Sequence, residues 1–332
     1  MFLHFRKKKM KKLTVLISAL VFSLSIVSAK PQFSMSLDII GLTMSGDDLA
    51  KEGYSWADKE RLEQVPLIPL ALPAFTLCYG QPAPHNSHEA EDEKKEPEFQ
   101  LLSTEFFISS TISLLDARAN CEFSIYLTPL LQLTASSGIH SAWNYSSSNP
   151  SLGVYNPAKA EYDKLTSFSE FAYNFAGKAT VTIPLPQAII LQGSYEHKYV
   201  AFTGADDKEP WKCGESGGVN GWKYQASVMI GKMFECPKLK MIGLIGSAEA
   251  WYSDSYFDER YKDYNPDFIE FSIVPMVQFE LTKKQSLMAQ AVISRDRKFE
   301  NDDCDNDQQL LQVYDGTKWR LKTIMAIWHI DL

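Results

Sequence analysis

In the stretch FIEFSIVPMVQFEL, residues 268–281, apolar side chains fall on every second position. Ile269, Phe271, Ile273, Pro275, Val277, Phe279 and Leu281 share one face, and Glu270, Ser272, Gln278 and Glu280 the other. A period of two this regular describes a strand with one apolar and one polar side. The same rhythm recurs at 168–183, 123–135, 187–200, 222–234, 241–253, 286–297 and 319–332, and less cleanly at 102–115 and 33–45. The spacing therefore predicts ten strands.

The connections alternate as well. Short turns near 117–120, 184–187, 237–240 and 282–285 take turns with long polar loops at 46–98, 143–167, 203–221, 254–267 and 298–318. Tight turns at one end and long loops at the other are the layout of a transmembrane barrel. The expected fold class is all-β, a ten-stranded antiparallel transmembrane β-barrel with long extracellular loops. A secreted two-sheet sandwich also alternates, but strands this long with charged inner faces suit lipid better.

The ends of the chain agree. Six basic residues precede an apolar run over 13–27, and Val27-Ser28-Ala29 offers small residues for cleavage. Residues 1–29 read as a signal peptide, with Met10 an alternative start, and residues 30–332 as the barrel. The expected location is the outer membrane of a diderm bacterium, with the membrane lipid as partner. Beyond the leader no apolar run is long enough for a transmembrane helix.

Acidic residues outnumber basic ones, 41 to 33, and six of the basic ones belong to the leader. That surplus argues against nucleic acid as a partner. Five cysteines enter an oxidising compartment with no zinc-like spacing, and Cys213 with Cys304 is the pairing their loops suggest. His85, His88, Glu89 and Glu91 fit no closed metal site, so neither metal nor cofactor is expected.

Two features stand apart from the rhythm. The first loop holds VPLIPLALPAF at 65–75, whose prolines argue against a central strand, followed by the acidic tract 88–98. The inward positions carry charges: Glu105, Glu170, Lys178, Glu196, Lys198, Glu249, Glu270 and Glu280. In a ten-stranded lumen these are expected to pair with one another and so to argue against a conduction path.

Four segments carry a resemblance. SLDIIGLTMSG (36–46), WNYSSSNP (143–150), YEHKYVAFTG (195–204) and AWYSDSYFDERY (250–261) resemble, in order, segments of the omptins. These are ten-stranded outer-membrane aspartate/histidine proteases. The resemblance implies an extracellular groove with an Asp-x-Asp pair on one wall and Asp-Glu-His on the other, activating a water for attack on a peptide. Carried over by position, the first pair becomes His140 and Ala142. The second wall becomes Asp258, Glu259 and Arg260, and a specificity carboxylate corresponds to Glu52. Alanine cannot titrate, and arginine is no base at neutral pH.

The expectation is therefore a protease homologue without activity, binding an extracellular peptide or protein ligand, or acting in adhesion, through its groove and loops. A rebuilt endopeptidase using Asp258 and His140 is the alternative, and a small porin or solute channel a second one. Trp143, Tyr145, Trp251, Tyr252 and Tyr256 read either as the interfacial aromatic girdle or as the lining of that groove.

Overall fold

The computed structural model describes residues 32–44, 68–81, 103–113, 116–144, 150–214, 216–236, 238–300 and 310–332. Residues 1–29, Glu52, Tyr145, the tract 88–98 and Cys304 lie outside them. Twelve strands close into one antiparallel barrel. They are β1 (Gln32–Met44), β2 (Ile68–Gln81), β3 (Ser103–Ser113), β4 (Asp116–Thr128), β5 (Leu131–Ala142), β8 (Ala172–Leu185) and β9 (Ile189–Phe202). The circle continues through β12 (Gly221–Met233), β13 (Leu239–Trp251), β14 (Glu270–Thr282), β15 (Gln285–Phe299) and β16 (Tyr314–Asp331).

The expected count of ten is thus corrected to twelve, for two physical reasons. The first is β2, which contains Pro69 and Pro73. Its ladder to β3 begins at Ala74, so residues 68–73 pair with β1 alone. A residue in an antiparallel ladder turns its N–H to one neighbour only, so proline is tolerated where the other side has no partner. The second is 123–135, which is not one strand but the hairpin joining β4 to β5. The hydroxyl of Thr128 accepts from the N–H groups of Leu130 and Leu131, at 3.2 and 3.1 Å. A register shift between Tyr126 and Thr128 keeps odd-numbered residues outward on both arms. The alternation therefore reads straight through the turn.

The two additional strands reverse one connection. Tight turns join β4 to β5, β8 to β9, β12 to β13 and β14 to β15, all at one end of the barrel. Gln81 of β2 and Ser103 of β3, which flank the acidic tract, end at that same turn end.

The outer face is apolar. Phe75, Ile112, Ile139, Val228, Ile273 and Trp328 are among the large apolar side chains left open on it. Around a closed barrel of hydrogen-bonded strands, this is a lipid-contacting surface. Among the described residues no helix is long and apolar enough to cross a membrane, and the crossing is made by strands. β1 closes on β16 from Ser36↔Asp331 to Thr43↔Ile324, and the ring of His329 is 2.7 Å from the Asp38 carboxylate across that seam.

A second sheet lies over the opposite, cap end. It has the order β11-β10-β6-β7, from β6 (Leu152–Asn156), β7 (Glu161–Lys164), β10 (Trp211–Cys213) and β11 (Ser216–Gly218). Its apolar core joins Leu152, Trp211 and Cys213 to Ala142, Ala172, Val200 and Phe202 at the barrel rim. Two asparagines pin it. The Asn144 amide donates to the carbonyls of Leu152 and Leu165 at 2.7 and 2.6 Å and accepts from Leu152 N at 2.9 Å. Asn220 Oδ1 accepts from Phe202 N at 2.8 Å and from the Trp211 indole at 3.0 Å.

Candidate functional site

The cap roofs a cavity of about 430 Å³ at the mouth of the barrel. Its floor comes from the cap ends of β12 to β15, where Lys223 forms an ion pair with Glu249 and Arg297 with Glu270. Aromatic rings make up much of the rest: Tyr162 of β7, Trp251, Phe257, Tyr264 and Phe268. Lys212 of β10 holds its ammonium 4.7 Å above the Tyr162 ring, an attraction to the ring's negative face.

Arg297 is committed to structure. NH1 donates to Glu270 at 2.9 Å, and Nε and NH2 donate to the carbonyls of Asn265 and Pro266 at 3.1 and 3.4 Å. Its guanidinium lies 4.3 Å from the Tyr264 ring and 4.8 Å from that of Phe268. Asn265 closes the preceding 3-10 turn in the left-handed region, φ 60°, which delivers its carbonyl to the arginine. Gly218 of β11 stands at φ 141°, and a Cβ there would meet the Trp251 ring. The glycine thus lets the roof approach the wall closely.

The residues singled out from the sequence fall in separate places. His140, at the cap end of β5, has its Nε2 3.2 Å from the carbonyl of Cys213, whose thiol donates back to His140 O at 3.6 Å. Asp258 instead N-caps the turn Glu259–Tyr264, accepting from Arg260 N at 3.1 Å and from Arg260 Nε at 2.8 Å. These bonds from Arg260 hold its carboxyl below the usual range. No hydrogen bond joins His140 to Asp258. Glu259 is exposed.

Trp143 packs edge-on against Phe168 at 4.3 Å and donates its indole N–H to Ser113 O at 3.3 Å. Trp251 and Tyr256 do come together, edge to face at 6.5 Å, and Trp251 lines the cavity. Tyr252 lies apart from them, in an exterior cluster with His197 and Tyr195. Sequence reasoning marked Glu249 and Glu270 as inward but passed over Lys223 and Arg297. Lys223 obeys the inward parity of β12, so parity carried to the strand end would have found it. Arg297 has the outward parity of β15 and reaches the cavity only at the strand end, where the ladder to β16 shifts register between Arg297 and Phe299, so parity could not have found it.

Cys213 is buried without a disulfide, and burial pushes its thiol up to about 11. Among the described residues no cluster of His, Cys, Asp and Glu is arranged to hold a metal. Directly below the cap the inward surface is polar. Serines meet across strands at Ser194–Ser227 (2.8 Å) and Ser247–Ser272 (2.7 Å). A second cavity, about 390 Å³, is lined by Ser109, Asn120, Glu122, Ser136, Asn174 and Lys198 among others. The amides of Asn120 and Asn174 converge over Gly138, where a side chain would collide with both. Glu280 pairs with Lys240 at 2.7 Å and Tyr126 donates to Glu105 at 2.8 Å, whereas Lys178, Glu196 and Lys198 form no ion pair among the described residues.

No family model and no curated protein matches the chain. Solved barrels resemble it at low identity. An outer membrane channel from Pseudomonas putida F1 is 10% identical with a TM-score of 0.44, covering 92% of this chain and 97% of its own. The NanC porin is 10% identical with a TM-score of 0.41, over 89% of this chain and 100% of its own. LpxR from Salmonella typhimurium is 8% identical with a TM-score of 0.38, over 89% and 99%. The site therefore rests on its own geometry.

Proposed function

We propose that the protein is an outer-membrane channel for small polar solutes, with the cap sheet restricting its extracellular mouth. The observation that carries this reading is the lumen surface. Hydroxyl and amide pairs line it from the cap cavity downward, and inward Gln225 stays open to solvent. Twelve strands enclose more space than the ten at which inward charges are expected to fill the interior. Lys223, Glu249 and the rings of the cap cavity would then be the first surface a solute meets. The leader at 1–29 is consistent with export.

The test is conductance. Refolded protein in planar bilayers is expected to give discrete current steps, and Lys223→Glu to shift the reversal potential in a salt gradient toward cation selectivity. Folded protein that inserts and passes no current would sink the proposal.

A surface-binding role is the second reading, favoured by the aromatic and charged cap cavity itself. It predicts saturable ligand binding by protein that does not conduct. Cleavage of dibasic peptides, lost in both His140→Ala and Asp258→Ala, would instead favour the peptidase.

A further inference from the structure

One wall of the lumen is unlike the rest. On β12 to β16, below the serine pairs, five inward positions are methionines, Met229, Met241, Met276, Met288 and Met325, with Gln278 and Gln290 as the polar positions among them. Their neighbours in register include Ile245 and Val274. Facing them, β3 to β9 present Glu105, Tyr126, Thr134, Gln192 and Ser194.

Three of these side chains, Met241, Met276 and Met325, lie along the wall. Gly231 and Gly243 are cross-strand partners. The sulfur of Met241 lies 3.2 Å from where a Cβ would stand on Gly231, and Met276 Cγ 3.3 Å from the same point on Gly243. The thioether chains are thus laid flat over the two glycines, along the wall. Gln290 donates its amide to Met325 Sδ at 3.5 Å, which keeps that side chain on the wall as well. Unbranched thioether chains form a soft apolar surface that adapts to differently shaped apolar groups. A purely hydrophilic solute gains nothing from such a strip, and a purely apolar one gains nothing from the hydroxyls and charges opposite.

We infer that the solutes of this channel are amphipathic. They would carry a charged or hydroxylated part toward β3 to β9 and a short acyl or aromatic part along the methionine wall. This deepens the channel reading and depends on it.

Liposome swelling with two zwitterions of equal charge, serine and phenylalanine, tests it, with protein-free liposomes as the blank. A simple sieve admits the smaller serine faster. Here phenylalanine is expected to enter at least as fast. Met276→Gln with Met288→Gln should slow phenylalanine by about fourfold, the factor carried by one methylene's worth of apolar contact, and leave serine unchanged. Serine outpacing phenylalanine in the native protein, or equal slowing of both in the variant, overturns the inference while leaving the channel reading intact. Entry of neither solute, with no current steps, overturns both. The wild-type ratio decides the matter even where the double variant fails to fold.

Discussion

The guanidinium of Arg297 on β15 meets the carboxylate of Glu270 on β14 at 2.9 Å, with the arginine buried and the glutamate half exposed. Two backbone carbonyls and two rings hold the arginine on its other sides. Removing it leaves those carbonyls without their donors in a dry place. Arg297→Ala is expected to destabilise the protein by about 1–3 kcal/mol, less than a fully buried pair because Glu270 keeps its water. Glu270→Gln should cost distinctly less, since the carbonyl bonds and ring contacts survive. Urea unfolding midpoints in detergent micelles read both, and equal losses would contradict this ranking.

Trp211 ties the cap to the rim. It is 2% exposed, stacked 5.4 Å from Phe202 and bonded to Asn220. Trp211→Ala should cost about 3–5 kcal/mol of cap stability. The barrel ladders do not involve it, so the loss should be local. The measurement is limited proteolysis: new cleavage within 150–214, with the barrel still resistant and still shifting in mobility on heating. Global loss of the barrel would show that cap and barrel fold as one unit.

The barrel class was legible in the chain because lipid outside and water inside enforce a period of two. Its strand count was not. β2 escaped because proline was read as excluding a strand, when it excludes only a donor on one side. The β4–β5 hairpin escaped because its turn preserves parity. The cap escaped for another reason: β10 and β11 form a hairpin of three residues each, joined to the sheet only where β10 pairs with the distant β6. Of the site, Trp251 and Glu249 could be placed from parity. That Lys223 and Arg297 would find Glu249 and Glu270 needed the register.

Asp258 gives a pH dependence with a definite sign. Its folded pKa lies below the ordinary value because Arg260 bonds its carboxylate. The stabilisation of the turn Glu259–Tyr264 is therefore full above the unfolded pKa and is lost as pH falls through the folded one. Protection of residues 259–264 from hydrogen exchange, taken relative to the intrinsic rate at each pH, should fall on acidification below about pH 4. In Arg260→Ala the loss of protection should begin at higher pH. An unshifted profile in that variant would remove Arg260 as the cause.

The thiols Cys213 and Cys236 should differ in reactivity. Cys236, in the turn between β12 and β13, is exposed, and the N–H groups of Lys238 and Leu239 lower its pKa. Burial does the reverse to Cys213. A maleimide at neutral pH should label Cys236 rapidly and Cys213 only once the cap is loosened, as in Asn220→Ala. Fast labelling of Cys213 in the native protein would mean that the cap core opens far more readily than its packing implies.

Cys236 also reports sidedness. It occupies the turn end, where Gln81 and Ser103 bracket the acidic tract 88–98. With the cap outermost, Cys236 and the strand ends Gln81 and Ser103 belong to the periplasmic face. A membrane-impermeant maleimide applied to intact cells should therefore miss Cys236 and also miss a cysteine placed at Glu93, yet reach one placed at Lys159 in the hairpin joining β6 to β7. Permeabilising the outer membrane should expose the first two together. Labelling of the Glu93 position, but not Cys236, in intact cells would mean that β2 does not cross the membrane, and would return the barrel to fewer strands.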